Sequence, residues 1–385
     1  MKRRDAVDVL VAGGGPGGAA CAGRLRAAGL DVLVLDRATF PRDKVCAGWI
    51  TPQVFQVLAV DPAEYGSAGT LQPITGFRVG AIGRPRESIV RYGHPVSYGV
   101  RRCEFDDWLL RRSGARLATG TPVTAIRRGS SGWIVNETYR APVLVGAGGH
   151  WCPVARSLAG QQVARATTTV PDTAGGVVAA QEIEAPLATL PGSDALLPGD
   201  VVLAFLPDLT GYGWCYRKGG YVNVGFGRYG SGGVRIGLSQ FMAHLVTTGV
   251  LSEEPRAPWH GHAYRVSSDR RAVVGADGVL LVGDAAGLAS PMSGEGIRPA
   301  VESGLLAAAT IVHGGGRVTR DTVIAYEHAL TERFGAPATH RTEASTRGRR
   351  MTAFAAAALL AAPWLVRHLL LDRWFLRVRQ AALAA

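Results

Sequence analysis

The segment VDVLVAGGGPGGAACAGRLRAAGLDVLVLDR, residues 7 to 37, constrains the fold more than any other part of the chain. An apolar run from Val7 to Ala12 predicts a strand. Gly13, Gly15 and Gly18 follow at GxGxxG spacing, a helical stretch runs to Ala28, and a second apolar run ends at Asp36. In that order they form a βαβ dinucleotide-binding unit. The first glycine permits a tight turn, the second lets a pyrophosphate approach the backbone, and the third lets the helix pack close to the strand. The helix starts at Pro16, Gly17 and Gly18, and the free glycine N–H groups of its first turn face the phosphates. Asp36, with Arg37 beside it, ends the second strand where a carboxylate accepts hydrogen bonds from ribose hydroxyls.

A chain of 385 residues with 47% hydrophobic content can bury more than one core, and two intertwined domains are expected. Five scattered cysteines without a CxxC pair argue against a disulfide framework and a structural zinc site, so no metal is expected. The basic start MKRR leads straight into the first strand without a signal-peptide pattern, which points to the cytoplasm. The net charge of +12 is almost wholly arginine, spread through Arg111/Arg112, Arg127/Arg128, Arg270/Arg271 and Arg347/Arg349/Arg350. A nucleic-acid binder would concentrate that charge in a stripe, so nucleic acid is not expected as a partner.

A second glycine-rich stretch, GVLLVGDAAGLASPMSGEGIRPAVESGLLAAATIV, predicts a strand ending at Gly283-Asp284 and a long helix opened by Gly294 and Gly296. With the first unit it resembles the geranylgeranyl reductase family of FAD-dependent oxidoreductases, within the para-hydroxybenzoate hydroxylase-like flavoprotein superfamily. The resemblance runs from Val7 to about Leu330. It implies FAD as cofactor, with Asp284 on the ribitol chain and Gly294, Gly296 and Ile297 against the flavin pyrimidine. A helix start there favours the anionic reduced flavin.

Further segments extend the likeness. RRCEFDDWLLRR, residues 101 to 112, resembles the family's Arg-x-x-Phe-Asp-x-x-Leu segment, which implies Arg102 near the FAD and Phe105, Trp108 and Leu109 packing its helix. TPVTAI, residues 121 to 126, is similar to a strand whose backbone at Val123 meets the adenine. PRDKVCAGWITP resembles the family's Pro-x-x-Lys-x-Cys-Gly-Gly crossing beside the isoalloxazine, which implies Lys44 and Cys46 facing the redox centre and Ala47 replacing a glycine. A thiol there could donate a proton to a carbon that receives hydride, or could simply pack on the ring.

One segment departs from the pattern. GAGGHWCPVAR, residues 146 to 156, has Gly148 in place of an acid, Cys152 at a serine position and Ala155 at an arginine position. In the related hydroxylases this segment is tied to FAD and nicotinamide use. The electron donor therefore stays open between NADPH and a reduced protein carrier.

Residues 71–100 and 161–264, rich in short apolar runs and turn residues, read as an antiparallel sheet inserted in the FAD-binding domain of residues 1–70, 101–160 and 265–335. Within it, GYGWCYRKGGYVNVGFG is similar to a reductase strand pair that faces the flavin. Tyr212, Trp214 and Tyr216 alternate on one face, and Tyr212 and Trp214 join Cys46 as candidate catalytic residues lining an apolar substrate site. Residues 336–385 form a C-terminal helical segment, too interrupted by Pro363 and Arg367 to span a membrane. At 100° per residue, Arg367, His368, Asp372, Arg373, Arg377 and Arg379 scatter around it, so no amphipathic face is predicted. Its arginines and tryptophans still suit either a buried position or peripheral membrane contact.

The fold expected is thus α/β: a Rossmann-like FAD-binding domain, an inserted antiparallel sheet for substrate and a C-terminal helical segment. The function expected is an FAD-dependent oxidoreductase that saturates carbon–carbon double bonds of an isoprenoid or similar apolar chain. A monooxygenase or halogenase on the same fold is the alternative, although no Trp-x-Trp-x-Ile-Pro segment supports halogenation, and an electron-relay flavoprotein is a third reading.

Overall fold

Strand Val9–Ala12 is buried at all four positions, as an apolar run between two layers must be, and lies inside a six-stranded sheet. The structure, a computed structural model, describes residues 6–163, 177–190, 195–230, 232–269, 273–336 and 358–383. The sheet runs in the order Gly275–Ala276, Val279–Leu281, Val143–Gly146, Val9–Ala12, Val32–Leu35, Arg116–Ala118. All neighbours are parallel except the first pair. Val9 stands opposite both Val32 and Val143, so the two predicted strands of the βαβ unit are adjacent. Helices Pro16–Ala27 and Ile297–His313 pack on each other at an approach that only glycine allows. A Cβ on Gly17 would lie 2.9 Å from the Ala300 carbonyl oxygen, and one on Gly304 would meet the Gly17 carbonyl.

The second layer is a seven-stranded sheet, in the order His260–Arg265, Val177–Pro186, Tyr221–Tyr229, Gly211–Lys218, Asp200–Phe205, Gly76–Ala81, Glu87–Arg91. It is antiparallel, as expected, except where Asp200–Phe205 runs parallel to Gly76–Ala81. Those two strands are far apart in sequence, so no tight turn dictates their relative direction. The hairpin turns at Gly219-Gly220, with Lys218 opposite Tyr221. Its side chains alternate as period two requires. Cys215, Val222, Val224 and Phe226 pack in the core beside helix Val234–Thr247, while Trp214 and Tyr216 belong to the cluster on the opposite face.

Two expectations need correction. Residues 121–125 carry no strand, which instead spans Ile126–Gly129. Pro122 has no N–H to give a ladder, and the N–H groups of Thr124 and Ala125 donate to the Asn136 side chain at 2.9 and 3.3 Å. The C-terminal segment, in turn, does have two distinct faces. Residues Val366–Phe375 form a π-helix, and its hydrogen bonds reach five residues back, as from Leu376 N–H to the Leu371 carbonyl at 2.8 Å. Wider turns bring Val366, Leu370, Leu371 and Phe375 together against the seven-stranded sheet, with Arg367, His368 and Arg373 outward. A step of 100° per residue, proper to an α-helix, scatters the same residues. No helix among the described residues is long and apolar enough to cross a membrane. Arg270, Arg271, Arg347, Arg349 and Arg350 lie outside the described residues.

Candidate active site

Between the two layers lies a cavity of about 590 Å³, within the size range of small-molecule sites. At one end it is lined by the C-terminal edge of the parallel sheet and the turns that leave it. Gly13, Gly15, Pro16, Gly17, Asp36, Arg37 and Val123 all face it there. Gly18 does not reach it. A Cβ on Gly18 would collide with the Gly13 carbonyl, so this glycine serves the close packing of helix on strand.

These residues fit a dinucleotide by their own geometry. Gly13 has φ +122°, and a Cβ there would strike the backbone of Ala147. Helix Pro16–Ala27 starts without a side-chain cap, leaving its first N–H groups free to receive a pyrophosphate. The Asp36 carboxylate accepts from Gly14 N–H at 2.7 Å and from Ala38 N–H at 2.8 Å. That fixes its orientation and leaves oxygen lone pairs toward the cavity.

Deeper in, five stretches of chain converge. Helix Arg102–Arg112 brings Arg102, buried, with its guanidinium forked on Asp106 at 2.8 and 2.7 Å. Arg42 shares the same carboxylate at 3.0 Å. The Cys46 side chain lies close enough to the Arg102 guanidinium to act on its charge. Lys44 Nζ lies 3.0 Å from His262 Nε2, which is 3.6 Å from Asp284 Oδ2. Burial, followed by the neighbouring Arg102 charge, lowers the Lys44 ammonium to about 8. Burial likewise lowers His262. Burial would raise Asp284, but the His262 hydrogen bond and the Lys44 and Arg102 charges outweigh it and hold the carboxyl below its usual range. Gly294, Gly296 and Ile297 lie on the same wall at the start of helix Ile297–His313, which also lacks a side-chain cap.

The loop from Lys44 to Gly48 is pinned from the seven-stranded sheet. Glu182 accepts the Cys46 N–H, Cys46 Sγ accepts the Gly48 N–H at 3.4 Å, and the Ala47 carbonyl accepts from Tyr216 and, at 2.9 Å, from Lys218. Lys218 is fully buried and paired with Glu184. Burial raises the Glu182 carboxyl to about 7 despite the opposing Lys218 charge and the Cys46 N–H. Tyr212 and Trp214 line the cavity, Tyr212 bonding the Ser293 carbonyl and Trp214 donating to Asn223 at 2.7 Å.

Glu182, His262, Tyr264 and Phe375 also line the cavity and were not singled out from sequence. A weak signal existed for some of them. Glu182 and Glu184 in QEIEAP, and His262 and Tyr264 in HGHAYR, alternate as strand neighbours on one face. Phe375 carried no such signal, because its position depends on the π-helical turn.

Comparison with known proteins agrees with this geometry. Residues 6–62 match the FAD binding domain family. The chain is 32% identical over 365 residues to a menaquinone reductase of Mycobacterium tuberculosis, covering 87% of this chain and 82% of that protein. It is 26% identical over 336 residues to digeranylgeranylglycerophospholipid reductase 3 of Methanosphaera stadtmanae, covering 78% and 76%. Among solved structures, a geranylgeranyl bacteriochlorophyll reductase-like protein from Thermoplasma acidophilum superposes with a TM-score of 0.69 at 21% identity, over 93% of this chain and 88% of that one.

Proposed function

This chain belongs to the geranylgeranyl reductase family of FAD-dependent oxidoreductases, and from that premise we propose that it saturates carbon–carbon double bonds in the polyprenyl part of an isoprenoid lipid. The observation that carries the reading is the aromatic wall. Trp49, Tyr212, Trp214 and Phe375 face the same cavity as the glycine-rich turns, so an apolar chain can lie against the cofactor. The names of the relatives support it. A menaquinone and a digeranylgeranyl lipid share a polyprenyl chain and little else.

FAD, when bound, supplies the hydride. Gly13, Gly15, Pro16 and Gly17 hold its pyrophosphate, Asp36 and Arg37 its ribose, and Val123 its adenine. Asp284 takes the ribityl chain, and Gly294, Gly296 and Ile297 the pyrimidine edge. Lys44, Ala47 and Arg102 close the flavin side. Cys46 gives the proton: one alkene carbon receives hydride and the other receives the thiol proton, leaving a thiolate. Water then reprotonates it. Tyr212 and Trp214 orient the chain. Electrons reach the site from NADPH or a reduced protein carrier, and anaerobic addition of NADPH alone separates the two by whether the bound flavin bleaches.

A partner follows from the C-terminal segment. Trp364 is 69% exposed, and Arg367, Arg373 and Arg379 are exposed as well, a composition suited to peripheral contact with an anionic membrane that holds the lipid substrate. The reductase reading is tested by incubating chemically reduced enzyme with geranylgeraniol under argon. Saturated product supports it, and unchanged alcohol counts against it.

A further inference from the structure

Phe375 is the last residue of the π-helix and the single member of the described C-terminal segment that lines the cavity. It is 4% exposed, and its ring stands 5.2 Å from Tyr212, 5.7 Å from Trp49 and 5.9 Å from Phe205, centroid to centroid. Three separate stretches of chain thus meet on one ring. Behind it, away from the cavity, lies an apolar layer between the seven-stranded sheet and the C-terminal segment. Phe77, Val79, Leu203, Leu370 and Leu371 fill that layer, and none of them reaches the cavity.

The backbone on both sides of the ring is tied down. Ser88 donates to the Leu360 carbonyl and Tyr92 to Asp372, each at 2.7 Å. Beyond Phe375, Arg298 donates to the Gln380 carbonyl at 3.0 Å and Arg333 to the Ala381 carbonyl at 2.8 Å. The ring is therefore a wall fixed at both ends, and shortening it would lengthen the cavity by the space of the ring itself, as far as the packed apolar layer behind it.

We propose that Phe375 is the stop that sets how far a polyprenyl chain extends from the flavin, and so determines the chain length this enzyme accepts. The inference rests on the polyprenyl reading of the cavity and adds the residue that limits it. An isoprene unit added within the cavity buries new apolar surface and tightens binding, whereas a unit that meets the ring gains nothing. Affinity should therefore rise with chain length and then level off.

The test is binding, read from the absorbance change of the bound flavin in oxidised FAD-loaded protein titrated with geraniol, farnesol and geranylgeraniol. In Phe375→Ala the levelling-off should move to a longer alcohol, improving the preference for geranylgeraniol over geraniol by about tenfold or more. Phe375→Trp should move it the other way. If Phe375→Ala does not fold, Phe375→Leu and Phe375→Trp carry the comparison. Parallel length profiles in wild type and variants would overturn the proposal, as would a wild type that binds none of the three. If the profiles shift as expected while no alcohol is reduced, the stop stands and the reductase reading falls.

Discussion

Cys46 and Glu182 meet through one hydrogen bond, and the two side chains answer to different experiments. If the thiol supplies the proton, Cys46→Ser should keep its FAD and accept electrons yet reduce substrate about 10²–10⁴-fold more slowly. Turnover within a few-fold of wild type would reduce Cys46 to packing on the ring. Glu182 is a buried carboxyl whose ordinary value of 4.5 is raised to about 7, chiefly by burial and against the pull of Lys218. Between those pH values the folded protein binds more protons than the unfolded chain. The stability Glu182 contributes is thus complete below 4.5 and lost as pH rises through 7, at about 1 kcal/mol per pH unit. Glu295, raised to about 7 by burial against Arg298 and Arg377, adds a loss of the same sign. Thermal unfolding of Glu182→Gln across this window should show a shallower decline than wild type, and identical slopes would place the carboxylate outside this account. Asp36 is simpler. If its carboxylate accepts from the ribose hydroxyls as proposed, Asp36→Ala should weaken FAD binding by about 1–3 kcal/mol, measured as the dissociation constant of FAD.

At the scale of elements, the loop from Lys44 to Gly48 depends on one glycine. Gly48 has φ +65°, and a Cβ there would press on the Val100 carbonyl and stand 3.0 Å from Lys218 Nζ. Gly48→Ala should therefore destabilise the protein by about 1–3 kcal/mol and loosen the flavin, seen as a lowered Tm together with lost FAD. An unchanged Tm would show that the loop can move away at no cost. The two halves of the flavin site differ in how far they could be read in advance. The unit from Val9 to Leu35 was legible because apolar runs, GxGxxG spacing and a terminal acid are local signals, and the Tyr212-Trp214-Tyr216 alternation was legible because period two survives in any strand. Residues 121–125 were not, since Pro122 and the Asn136 side chain together replace a ladder that the residue types alone suggest. The face of Val366–Phe375 was hidden for a different reason. Its helical step is set by packing on the sheet, and the burial pattern only makes sense once that step is known.

On the scale of the whole molecule, a parallel sheet that carries the glycine-rich turns is joined to a seven-stranded sheet that carries Tyr212 and Trp214 of the aromatic wall, and the C-terminal segment closes the far side and adds Phe375. That closing role constrains any test of membrane contact. The segment buries Val366, Leu370, Leu371 and Phe375, so truncating it would expose the apolar cluster on that face of the seven-stranded sheet. Point changes on its outer face avoid that difficulty. Trp364→Ala combined with Arg367→Ala should lower sedimentation with anionic phospholipid vesicles several-fold while leaving the flavin spectrum intact. Equal sedimentation would remove the outer face from any membrane role.

The measurement that reaches the central claim most directly follows the fate of the polyprenyl double bond. Enzyme with chemically reduced flavin is mixed anaerobically with geranylgeraniol, flavin absorbance is followed, and the product is weighed by mass spectrometry. The account predicts that the flavin reoxidises without oxygen and that the product has gained two hydrogens for each flavin reoxidised. A flavin that stays reduced until oxygen is admitted, followed by a product that has gained oxygen, would contradict it and make this chain a monooxygenase.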